Sequence, residues 1–404
     1  MAWHHEIHRE QWRVLLAAQL GWMLDGMDVM LYSFALTAIR ADFQLSASAA
    51  GLLAAAPLVT SVIGGVLFGY LSDRYGRARS LGWSILAFSF ATALCATSRG
   101  ILDLLFWRAL VGIGMGGEWA SGAVLVAENW PVAHRAKGIG LMQSGWAIGY
   151  LVAAIVAGLV LPRWGWRALF LTGVLPALFT FWIRKNIPEP PAWKKKDVAG
   201  KPPVGMLFRP PLRRAVILFT AIAGCLLFGY WGLFTWLPAY LSTPIDRGGA
   251  GLSIVRSSAW IVPMQIGSFF GYVLFGFFAD RAGRRRAFFT YVLAIAVLAP
   301  LYGQLGRSAP LLMALGPLVG FFGHGYFSVF GVMMAETFPA AVRTTAQGFC
   351  YSAGRAMSGV APVTIGSLAD RFGIGAALAF TSIFFCAAAA LMLLMPETRR
   401  EDLA

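Results

Sequence analysis

Charge is scarce in this chain. Only 13% of its 404 residues are Asp, Glu, Lys or Arg, while 58% are hydrophobic, and mean hydropathy is +0.68. Soluble domains are about one quarter charged, so a water-soluble globular domain is excluded. Cysteine is equally sparse. Cys95, Cys225, Cys350 and Cys386 sit in apolar runs without CxxC spacing, which excludes a disulfide framework or a thiolate metal site and leaves packing as their use. No Walker A sequence occurs, so nothing points to ATP as an energy source. No HExxH or GxSxG lies where a membrane protease or esterase would need one. The chain is therefore expected to be no enzyme and to need no cofactor or metal. Its first residues lack a signal-peptide cleavage pattern, so the first apolar run is expected to stay as an anchor.

What is present is hydrophobic length. A helix needs about 20 apolar residues to cross a bilayer, and twelve such segments can be read. Six lie in 1–184 and six in 213–404, with a Pro- and Lys-rich stretch, 185–212, that opposes continuous helix between them. The expectation is an all-α membrane protein: an N-terminal six-helix bundle, a cytoplasmic linker and a C-terminal six-helix bundle. The net charge of +15 would suggest nucleic acid in a soluble protein. Here most Lys and Arg fall in short loops on one side, where they report topology. Both termini are expected in the cytoplasm, and no nucleic-acid partner is expected.

The chain also repeats itself. Gly69-Tyr-Leu-Ser-Asp73-Arg74-Tyr-Gly76-Arg77 returns as Gly276-Phe-Phe-Ala-Asp280-Arg281-Ala-Gly283-Arg284. Ala127-Glu128-Asn-Trp-Pro131 through Arg135 returns as Ala335-Glu336-Thr-Phe-Pro339 through Arg343, at an offset of 208. Halves with an even number of crossings enter the membrane the same way, which gives parallel repeats. The two DRxGR loops, the AExxPxxxR segments and the six-plus-six layout resemble the major facilitator superfamily. That resemblance implies twelve helices, a central cavity and alternating access by rocking of two bundles. The DRxGR loops would then be gate latches: Asp73 and its arginines pairing across helix ends in one state and parting in the other.

An ionisable group deep in a membrane helix is costly and is a functional candidate by default. The first segment holds Asp25 and Asp28, three residues apart on one face. Two close carboxylates in low dielectric are candidate proton carriers; the alternative is that both pair with an arginine. Arg108, in the RxxxGxGxG pattern of the fourth segment, resembles the superfamily's proton-linked arginine, though snorkelling or a structural ion pair is open to it. Glu118 follows ten residues later and is either a proton carrier or a buried, satisfied carboxyl. Arg355 lies about 18 Å from the cytoplasmic end of the eleventh segment, too deep to snorkel. A guanidinium there suits a carboxylate ligand, or it pairs with one of the buried acids. Further substrate-contact candidates are Gln143, Ser144, Trp146, Tyr230, Trp231, Trp236, Gln265, His324 and Tyr326; for each aromatic, packing is the competing role, and His324 is either titratable or satisfied.

The GMGGEW, ENWP and DGMD segments look like the organic-acid and metabolite:proton symporter branches, which carry lactate and other monocarboxylates, sialic acid and aromatic acids. The fifth segment lacks the Gly-Pro-rich pattern of the superfamily's drug/proton antiporters. The expectation is a multi-pass inner-membrane carrier, acting as a monomer, that takes up a small organic anion with protons. The alternatives are a proton-coupled carrier of a neutral solute, sugar or osmolyte, or a proton antiporter.

Overall fold

The computed structural model describes residues 7–131, 135–186, 207–210, 212–338 and 343–397. Most of the expected linker 185–212 therefore lies outside the described residues. The described chain is helical: α1 (Arg9–Asp42), α2 (Ala47–Tyr75), α3 (Arg77–Cys95), α4 (Ile101–Asn129), α5 (Arg135–Leu171), α6 (Leu175–Asn186), α7 (Leu212–Phe234), α8 (Leu237–Ser242), α9 (Ile254–Ala282), α10 (Arg284–Gln304), α11 (Ala309–Gly325), α12 (Phe327–Thr337), α13 (Arg343–Ser358), α14 (Ala361–Phe372), α15 (Ile374–Ala379) and α16 (Thr381–Met392). Among the described residues, eight helical spans are long and apolar enough to cross a membrane, with α15 and α16 together making one of them, Ile374–Met392. Twelve crossings result when α5 is divided at its non-helical Gly165, the short piece after it counts with α6, and the pairs α7/α8, α11/α12, α13/α14 and α15/α16 each count once. Two of those interruptions have a local cause. Pro238 and Pro362 begin α8 and α14, where a missing N–H costs least.

The repeat is visible in the backbone. Gly76 and Gly283 leave the DRxG loops with φ 118° and 95°, a region closed to side chains with a Cβ. Gly165 and Gly373 make the same kind of elbow, with φ 75° and 82°, at the opposite end of each bundle. Packing repeats as well. Gly112 of α4 sits against Pro57 of α2, and its counterpart Gly320 of α11 sits against Met264 of α9; a Cβ at either would strike the neighbouring backbone carbonyl. Close approach through small residues is how helices pack where lipid supplies no hydrophobic drive.

Between the halves, α5 lies along α9, and α2 lies along α13 and α14. The end opposite the DRxG loops is closed across this seam. Asp370 of α14 accepts N–H bonds from Ala47 and Ser48, both at 3.1 Å, at the first turn of α2. Its carboxylate also lies 3.6 Å from Arg40, while Ser367 donates to Ser48 (3.1 Å) and Thr37 meets Ser242 (3.3 Å). A carboxylate at a helix N-terminus satisfies free donors and complements the dipole. Asp370 thus ties one bundle to the first turn of the other.

Candidate functional site

Midway along the bundles, α1, α4, α5, α7 and α13 bring the buried charges into two groups. Three residues of α helix turn about 300°, so Asp25 and Asp28 diverge by about 60° and reach different neighbours. Asp28 points into the N-terminal bundle. Thr92 of α3 donates to its Oδ2, and its Oδ1 faces Gly173. Asp25 instead lies within electrostatic reach of Arg355, as does Glu118. Glu118 rests against Gly21 of α1, where a Cβ would come within 2.7 Å of its Oε1. Asp25, Glu118 and Arg355 are 1%, 0% and 4% exposed. Neither carboxyl has a hydrogen-bond partner, and the Nε of Arg355 has none either.

Arg108 does not form the ion pair open to it in the sequence. Its Nε donates to the Leu53 carbonyl (3.2 Å), its guanidinium lies 4.4 Å from the Tyr32 ring centroid, and its Nη1 is buried without a partner.

Aromatic rings fill the space between the halves. Trp146 of α5 lies against α1 because Gly26, between the two aspartates, leaves room; a Cβ there would stand 3.1 Å from its Cε3. Trp22 and Trp231 flank Trp146, with centroids at 4.8 and 5.9 Å. Arg355 stands 6.0 Å from the centroid of Trp231. The Nε1 atoms of Trp22 and Trp231 are buried and unpartnered. Trp231 was among the aromatic candidates in the sequence and Trp22 was not; an aromatic at membrane depth gives no sign of whether its N–H is satisfied.

A hydrogen-bonded chain leads from Trp146 into the C-terminal half. Trp146 Nε1 donates to the Tyr230 hydroxyl, which lies 3.2 Å from His324 Nε2. His324 Nδ1 lies 3.1 Å from both Ser268 Oγ and the Gly320 carbonyl, and Ser268 donates to Met264 O. Indole N–H can only donate. The Gly320 carbonyl can only accept, and Ser268 spends its proton on Met264 O, so His324 Nδ1 carries the hydrogen; in the neutral ring Nε2 then accepts from the Tyr230 hydroxyl. Of the two roles open to His324, the satisfied one is present here.

Other candidates fall away from this centre. Trp236 donates to the Pro362 carbonyl (3.0 Å) near the closed end. Ser144 donates to Leu141 O (2.7 Å) and accepts from Gln19 (3.2 Å), joining α1 to α5. Tyr326 packs among Phe288, Phe327 and Phe385. Gln143 and Gln265 are buried with unpartnered amide atoms. In the loops, Gly76 and Gly283 are the elbows described above, Gly276 has open space at its Cα and Arg284 is buried. Gly69 lies in α2, nearly two turns before its end, and Arg281 lies in the last turn of α9. The side chains of Asp73, Arg74, Arg77 and Asp280 lie outside the described residues.

A twelve-helix, duplicated bundle with a few buried charges on the seam defines a membrane transporter. Residues 20–263 and 249–404 match the Major Facilitator Superfamily, and the chain belongs to it. It is 34% identical to a putative metabolite transport protein of Haemophilus influenzae, over 99% of both chains. It is 33% identical to the cis,cis-muconate transport protein of Acinetobacter baylyi, over 93% of this chain and 92% of that one. In three dimensions it resembles a partially occluded inward-open form of the xylose transporter XylE of E. coli, with a TM-score of 0.77, 21% identity and coverage of 98% and 100%.

Proposed function

We propose that this protein is a proton-coupled symporter that takes up a small organic anion, with the DRxG loops and both termini in the cytoplasm of a bacterial inner membrane. The observation that carries the reading is Arg355: a guanidinium on the seam, 4% exposed, with no ion pair to either carboxyl in its electrostatic reach. A buried cation without a counter-ion is expensive. An anionic substrate supplies one, and the fork of a guanidinium matches a carboxylate. The muconate-carrying relative has a substrate of that chemistry.

Asp25 and Glu118 complete the cycle. A carboxylate buried without a donor is costly, so in the closed state these two groups carry the protons. With the outer end open, a proton reaches Asp25 or Glu118 and the anion settles on Arg355 beside Trp231 and Trp146. Charge on the seam is then balanced, the bundles approach, and Asp370 docks on the first turn of α2. Release into the cytoplasm returns the proton and the anion together. A thermal-shift panel of organic acids at two pH values tests the reading. Carboxylates should stabilise the purified protein, more so at the lower pH, by mass action on the folded state. Stabilisation by neutral sugars with none by acids would contradict it.

A further inference from the structure

A second cationic pocket lies between Arg355 and the closed outer end. Arg108, Tyr32, Ser33 and Pro57 line it from the N-terminal half, and Trp231 and Thr235 of the α7 segment line it from the C-terminal half. In this closed state it has room for about one water, near 10 Å³. Two of its polar atoms are buried without partners, Arg108 Nη1 and Trp231 Nε1, and both can only donate. Arg108 and Trp231 are 2% and 5% exposed.

Among the described residues, no other polar group pairs with either of these donors. The Tyr32 hydroxyl is committed to Ala50 O (2.6 Å) and Ser33 donates to Met30 Sδ (3.8 Å). Asp28, the carboxyl within electrostatic reach of Arg108, is held by Thr92 and makes no ion pair with it. A water could accept from one of the two free donors but would bring no charge to the guanidinium.

We propose that Arg108 and Trp231 form an outer carboxylate subsite, occupied by the substrate anion before it reaches Arg355. The inference rests on the anion reading of the central site. Its walls belong to opposite halves, so the same parting that undocks Asp370 draws Trp231 and Thr235 away from Arg108 and enlarges the pocket. Trp231 is shared: its indole lines the Arg108 pocket, and its ring lies 6.0 Å from the Arg355 guanidinium. An anion can therefore pass from one arginine to the other along one side chain that borders both.

The test reads charge at that place directly. In the full-length chain with Cys95, Cys225, Cys350 and Cys386 replaced by serine, T235C is modified from outside by anionic and by cationic methanethiosulfonates. The anionic reagent should react faster. The ratio of anionic to cationic rates should fall at least about tenfold in Arg108→Gln and hold in Arg108→Lys, because a unit charge a few ångströms away dominates the local potential. Saturating cis,cis-muconate or nicotinate, whichever stabilises the purified protein, should slow modification in the parent, and slow it less in Trp231→Phe. A ratio unchanged by Arg108→Gln, or no reaction with either reagent, overturns the subsite. Arg355→Ala separates the two claims: it should abolish uptake while keeping the rate ratio, whereas failure of the central reading leaves uptake intact.

Discussion

The two halves share a scaffold and divide the chemistry unequally. Gly112 and Gly320 make the same helix–helix approach, and Gly165 and Gly373 make the same elbow. Away from the DRxG loops and among the described residues, however, the N-terminal half buries Asp25, Asp28, Arg108 and Glu118, whereas the C-terminal half buries Arg355 and a neutral His324 locked between Tyr230 and Ser268. The position equivalent to Glu118 is Tyr326, packed among phenylalanines. Duplication supplied the rocking frame. Divergence then placed the carboxyls in one bundle and Arg355 in the other, so that the proposed coupling would act across the seam between them.

Removing the C-terminal cation should break this division most severely. Arg355→Ala should weaken anion binding by about 2–5 kcal/mol, at least roughly thirtyfold in Kd, with the protein still present in the membrane. Arg355→Lys should recover only part of this, because it keeps the charge and loses the fork. Thermal shift and proteoliposome uptake measure both.

Asp370→Ala sharpens the contrast between frame and chemistry. It leaves two N–H groups of α2 unmet and should destabilise the outer-closed state by about 1–3 kcal/mol. Labelling of a thiol in the outer cavity should rise severalfold while the Kd for the anion changes little.

Within the N-terminal half, Asp28→Ala separates the two helix-1 acids. It removes the acceptor for Thr92 and should lower unfolding stability by about 1–2 kcal/mol, read as a fall in midpoint temperature. Anion binding should persist. The smallest effect belongs to His324→Gln, which retains polar atoms near Tyr230 and Ser268. Uptake should fall by no more than about threefold, roughly the loss of one weak hydrogen bond, with its pH profile unshifted.

Much of the frame was legible in the sequence. Glycine and charge recur at offsets of 207 and 208, and an ionisable residue deep in an apolar run is conspicuous by its cost. Arg355, Asp25 and Glu118 were found in that way. The divergence of Asp25 and Asp28 was not, since a 60° difference on a helix decides nothing until the neighbours are known. Trp22 was missed because an indole that packs and an indole with a free N–H read alike. Asp370 did leave a signal: Asp370-Arg371-Phe-Gly373 repeats the Asp73-Arg74-Tyr-Gly76 pattern at the other end of the molecule. Its docking on α2 shows what an aspartate in such an elbow can do, and it is the closest structural parallel for the latch proposed at Asp73.

The central claim, protons on one half and the anion on the other, is tested most directly by the double variant Asp25→Asn/Glu118→Gln in proteoliposomes. Labelled anion flux and internal pH are recorded together. The account predicts that wild type moves protons with the anion, and that the double variant still exchanges anion across the membrane but moves no protons and cannot use a pH gradient to accumulate it. Proton movement that persists in the double variant would contradict the account, as would loss of anion exchange in a correctly folded one.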